Sequence, residues 1–135
     1  MRNVWVERTI DVPAPVVWRL LTDVEHWAEW GPSIRGAAID GGRLRPGATG
    51  TITTVGGLTL PFEITSFVEG RSWGWDVAGI GATDHRVEVL DAGRCRAGFG
   101  VPWVVAPYTI VCHAALRRLD ALAATSPPSA ADEPG

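Results

Sequence analysis

The sequence predicts an α+β domain in which one curved, seven-stranded antiparallel sheet wraps around a long C-terminal helix, with two short helices after the first strand. Three observations predict it. A strand-like segment at the N-terminus leads directly into helical spacing. Six further strand-like segments are then separated by short Gly-rich breaks, where a parallel crossover would need a dozen or more residues. The pattern finally returns to helical periodicity over the last ordered stretch.

Residues 4–12 are rich in β-branched and aromatic side chains and read as the first strand, ended by Pro13 and Pro15. Asp11 or Ala14 is the expected cap of the next helix, since proline is tolerated in a first helical turn. Val16, Val17, Leu20 and Leu21 recur at helical spacing, and a second short helix is expected from Val24 to Trp30, stopped by Gly31-Pro32. The following strands are expected at 34–40, 49–55, 58–69, 72–77, 84–91 and 94–101. Breaks fall at Gly41-Gly42, Gly56-Gly57, 69–71, 79–81 and Ala92-Gly93. From about 105 to 124, Tyr108, Cys112, Ala115, Leu116, Leu119 and Leu122 can share one apolar helix face. The domain is expected to span 1–124, with a Pro-, Ser- and Ala-rich tail at 125–135 expected to be disordered.

Composition narrows the function classes. With 135 residues, 46% hydrophobic and 20% charged, the chain suits one globular domain. A net charge of −3 without a basic block argues against nucleic-acid and anionic-membrane partners. No apolar run approaches the ~20 residues of a membrane helix, and no signal-peptide core opens the chain, so cytoplasmic residence is expected. All twelve basic residues are arginine, which removes lysine Schiff-base chemistry. Cys95 and Cys112 are too few for a zinc site and are expected as free thiols, a single disulfide being the alternative. His26 and Glu29 share a short helix without a third ligand, so no metal site is expected. Nucleotide loops and nucleophile elbows are missing, and no cofactor is expected.

The stretch Val12-Pro-Ala-Pro-Val-Val-Trp-Arg-Leu-Leu-Thr-Asp23, followed by Val24-Glu-His-Trp-Ala-Glu-Trp-Gly-Pro32, resembles the N-terminal signature of the START-like (SRPBCC) polyketide cyclase/dehydrase family. Leu44-Arg-Pro-Gly47 and Asp84-His-Arg-Val-Glu88 fit the same habit, and the resemblance covers about residues 4–124. It implies the helix-grip fold and an internal pocket for a hydrophobic or aromatic small molecule. Its members include aromatase/cyclases, carriers and ligand sensors, so fold alone does not fix the chemistry.

Strand parity supplies the expected pocket. Phe62, Ile64, Ser66 and Val68 share one face, as do Trp73, Trp75 and Val77, then His85, Val87 and Val89, then Cys95, Ala97, Phe99 and Val101. His85 is the polar member of this apolar lining and the leading acid/base candidate, with a buried structural histidine as the alternative. Tyr108 is the second catalytic candidate, because its hydroxyl could hydrogen-bond a ligand carbonyl or enolate. The expected ligand-binding set is Trp27, Trp30, Phe62, Ile64, Ser66, Trp73, Trp75, Val87, Phe99, Thr109 and Cys112, with core packing the alternative for each tryptophan and Trp27 and Trp30 expected at the pocket entrance. Trp103 could join the lining, and His113 is a weaker polar candidate. Two functions follow: a cofactor-independent cyclase/dehydratase fed by an acyl carrier protein, or a non-catalytic carrier or sensor of a hydrophobic metabolite. Either a monomer or a homodimer is compatible with both.

Overall fold

The computed structural model describes residues 3–102 and 107–126. Residues with high β propensity at the N-terminus form β1 (Asn3–Ile10), which pairs antiparallel with the last strand. Helix α1 (Ala14–Thr22) begins behind Pro13, which has no side chain able to cap it, and carries Pro15 in its first turn. It turns Val16, Val17, Leu20 and Leu21 inward. The second expected helix is divided. Asp23 Oδ1 accepts from the Glu25 amide and starts a 3₁₀ turn over Val24–His26, and α2 proper is only Trp27–Trp30. Gly31 and Pro32 end it.

Six strands follow: β2 (Ile34–Ile39), β3 (Thr49–Thr54), β4 (Thr59–Val68), β5 (Ser72–Val77), β6 (Ile80–Asp91) and β7 (Arg94–Pro102). They form one seven-stranded antiparallel sheet in the order β1-β7-β6-β5-β4-β3-β2. Strand β6 is longer than the sequence predicts, because the turn is confined to Ala78-Gly79, both at positive φ. That extension brings Ile80 to Thr83 into the sheet. Helix α3 (Thr109–Thr125) packs Cys112, Ala115, Leu116, Leu119 and Ala123 against the concave face, the i, i+3, i+4, i+7 spacing of a core-facing stripe. Tyr108 precedes this helix as its N-cap residue and is not part of it. An Arg8–Asp120 ion pair at 2.6 Å ties α3 to edge strand β1.

Parity fails at two places. Between Ile64 and Ser66 the β4–β5 register slips by one residue, so Ile64 pairs with Trp75 while Phe67 pairs with Trp73. A one-residue bulge sends every later side chain to the other face. Ser66 and Val68 are therefore exposed, and Phe67 turns inward beside Trp18. Val89, expected inward with His85 and Val87, is 67% exposed near the end of the β6–β7 hairpin. Among the described residues no helix is long and apolar enough to cross a membrane.

Candidate functional site

The concave face is largely filled by its own aromatic rings. His85 stacks on Trp73 with ring centroids 3.8 Å apart, and Trp73 stacks on Trp27 at 5.3 Å. Trp75 packs edge-on against Trp27, Phe62 and Trp73, while Phe99 and Trp30 close on His85 from the other side. Gly50 makes room for part of this cluster, since a Cβ there would lie 2.7 Å from Cζ of Phe62.

Trp27 and Trp30 take a role different from a gate. Both are buried, and their indole N–H groups donate to the carbonyls of Leu21 and Leu20, each at 2.9 Å. Those are last-turn carbonyls of α1, which have no partner within the helix. The Trp-x-x-Trp spacing thus caps one helix while inserting two rings into the core.

His85 is 2% exposed and sits in a chain whose direction is fixed by donor and acceptor chemistry. Its Nδ1 lies 3.2 Å from the Trp73 carbonyl, an acceptor only, so Nδ1 carries the hydrogen. Nε2, 3.1 Å from Oγ1 of Thr83, is then the acceptor and the Thr83 hydroxyl donates to it. Trp75 Nε1, a donor only, gives its hydrogen to the same Thr83 oxygen at 3.1 Å. Burial lowers the His85 pKa to about 3, with the bond to the Trp73 carbonyl opposing the shift, so the ring is neutral near pH 7.

Among the described residues, two adjoining spaces border the aromatic cluster. An inner chamber of about 40 Å³ touches Trp30, His85, Phe99, Cys112 and Ala115. At roughly 30 Å³ per water molecule it has room for about one. A larger cavity of about 290 Å³ adjoins it, bordered among others by Ile34, Ile52, Val77, Ala82, Val101 and Pro102. Ser33, Ile34, Trp75, Thr83 and Tyr108 border both. The Tyr108 and Ser33 hydroxyls lie 3.3 Å apart at the rim, where Tyr108 is 39% exposed.

Of the expected site residues, the structure brings Trp30, Trp75, His85, Phe99, Tyr108 and Cys112 together around these spaces. Trp27, Ile64, Trp73 and Val87 are core residues bordering neither cavity. Phe62 packs in the aromatic cluster, Ser66 is on the convex face, Thr109 is half-buried outside both linings, and His113 is exposed. Trp103 lies outside the described residues. Burial pushes the Cys112 thiol up to about 11, which keeps it protonated, and both cysteines are free and buried. No cluster of ligating side chains able to hold a metal occurs among the described residues. Sequence reasoning missed Thr83, although it shares parity with His85, because the expected strand begins at Asp84, four residues after the observed start at Ile80. Ile34, Ile52 and Ala82 were missed for lack of any chemical signature.

The model of the family described as "Polyketide cyclase / dehydrase and lipid transport" matches residues 1–125. No curated protein matches the chain in sequence. The protein XoxI of Bacillus cereus has a similar structure, with a TM-score of 0.72 at 13% identity, covering 93% of this chain and 97% of that one. A protein of Nitrosomonas europaea superposes with a TM-score of 0.64 at 20% identity, over 90% and 93% of the two chains. Norcoclaurine synthase of Thalictrum flavum, solved with dopamine and hydroxybenzaldehyde, gives 0.64 at 13% identity over 95% and 89%. These likenesses are of fold, and with the family match over nearly the whole chain they lead to one conclusion: the chain belongs to the polyketide cyclase/dehydrase and lipid-transport family.

Proposed function

We propose that the protein binds a small apolar or aromatic molecule in the 290 Å³ cavity and releases it unchanged. The observation carrying this reading is the state of His85. Both ring nitrogens are engaged within the protein, and its pKa of about 3 leaves it a weak base. General acid–base catalysis works best with a group whose pKa lies near the working pH and which reaches the substrate. His85 meets neither condition, so the cyclase/dehydratase reading loses its leading residue. Cavity size points the same way. Small-molecule sites usually span ~300–1,000 Å³, and this one lies at the lower end, suited to one or two rings rather than to an extended chain carried by an acyl carrier protein. Norcoclaurine synthase, whose fold is similar, is solved with two small aromatic molecules, a precedent for ligands of this size.

Native mass spectrometry of the purified protein, followed by organic extraction, tests the reading. The expected result is one small molecule per chain, recovered unaltered from the wild type and from His85→Phe alike. Multiple turnovers abolished by His85→Phe in a folded variant would overturn it.

A further inference from the structure

Thr83 stands at the boundary between the two spaces with its hydrogen-bonding capacity nearly used up. A threonine hydroxyl has one hydrogen and two lone pairs. Its hydrogen is committed to His85 Nε2, because the Trp73 carbonyl forces the hydrogen of the histidine onto Nδ1. One lone pair accepts from Trp75 Nε1. What remains is a single lone pair on a side chain that borders the 290 Å³ cavity, so Thr83 can receive a hydrogen there but cannot offer one.

The rest of the lining sets a second condition. Among the described residues bordering the cavity none is charged. Inside the inner chamber the titratable neighbours are His85, Cys112 and Tyr108, and burial keeps His85 neutral and the Cys112 thiol protonated. An ionised carboxylate or ammonium seated against this largely apolar lining would give up part of its hydration without a counter-charge, at a higher cost than a hydrogen-bonded hydroxyl.

We propose that this cavity selects electrically neutral ligands that carry a hydroxyl or N–H donor, with that donor seated on Thr83 Oγ1. Phenols and other ring-bearing alcohols fit best; their ethers bind more weakly, and their carboxylates do not bind. The Tyr108–Ser33 pair spends one hydrogen on its mutual bond and keeps the other, which can serve an acceptor nearer the mouth. This inference rests on the binding reading above but makes a narrower claim.

Three probes test it by isothermal titration calorimetry: 2-naphthol, 2-methoxynaphthalene and 2-naphthoate. The expected wild-type order is naphthol tightest, ether weaker and naphthoate undetectable. The ratio of naphthol to ether affinity should fall about fivefold in Thr83→Val, the size of one net hydrogen bond, and survive in Thr83→Ser. An unchanged ratio in Thr83→Val overturns the donor rule, and naphthoate binding as tightly as naphthol overturns neutrality; both leave the binding reading standing. If no probe binds the folded wild-type protein, the binding reading itself fails. Should Thr83→Val not fold, a wild-type crystal structure with 2-naphthol decides. Its oxygen is expected within hydrogen-bond distance of Thr83 Oγ1, and a hydroxyl turned away from Thr83 overturns the proposal.

Discussion

At the scale of the residue, His85 shows what parity can and cannot convey. Its inward direction follows from alternation along β6, and the structure confirms that direction. Its chemistry does not follow from alternation, because it depends on Thr83 two residues earlier and on a carbonyl of the neighbouring strand. A buried neutral histidine carries a pH signature. The folded pKa lies below the unfolded value of 6.5, so the unfolded chain binds the proton first as pH falls. Stability is therefore fully present above about pH 6.5 and is lost between there and about pH 3, at up to roughly 1.4 kcal/mol per pH unit. Asp84 acts in the opposite sense, since burial raises its carboxyl despite the hydrogen bond from Asn3. Urea unfolding at pH 7.5, 5.5 and 4.5 should show a midpoint that falls with acid. His85→Phe, which keeps an aromatic ring on Trp73, should flatten much of that fall. A variant with the wild-type pH slope would show that His85 already titrates normally in the folded protein.

At the scale of the element, the order of strands and helices was readable because each element carries its own signal. Pro13 and Pro15 mark the start of α1, Gly-rich breaks separate the strands, and the α3 stripe repeats at helical spacing. What escaped was every feature that depends on a neighbouring strand. The bulge at Thr65 leaves no mark in β4 itself, yet it moves Ser66 from cavity to solvent. The Trp-x-x-Trp helix was readable as an element, but its use of two indoles as caps for α1 requires the tertiary fold. That capping makes a testable claim. Trp30→Phe keeps most of the buried ring but leaves the Leu20 carbonyl without its indole donor. An unsatisfied buried acceptor costs about 1–3 kcal/mol. Chemical denaturation of Trp30→Phe should show a loss of that size with an unchanged m-value; a loss of a few tenths would mean that water replaces the indole.

At the scale of the whole molecule, the decisive property is how much of the space between sheet and helix the protein occupies with its own side chains. Sequence parity assigns rings to a face, but the residual volume depends on how seven large groups tilt against one another. The sequence therefore announced a pocket and left open how far its tryptophans fill it. Trp75 is the wall between what is filled and what is open, since it borders both the 40 Å³ chamber and the 290 Å³ cavity. Its removal sets packing directly against capacity. Trp75→Ala should cost about 3–5 kcal/mol, a large part of the ~5–15 kcal/mol that holds a typical domain together. Trp75→Leu is the milder version and should remain folded with a lowered melting temperature. In exchange the two spaces merge, and a three-ring alcohol such as 2-anthrol should bind Trp75→Leu more tightly than it binds the wild type, whereas 2-naphthol should gain little. Calorimetry with both ligands beside thermal unfolding reads the two effects independently. A less stable Trp75→Leu without improved 2-anthrol binding would mean that its neighbours collapse into the gap, and that ligand size is set by the ring of hydroxyls and aliphatic side chains at the mouth.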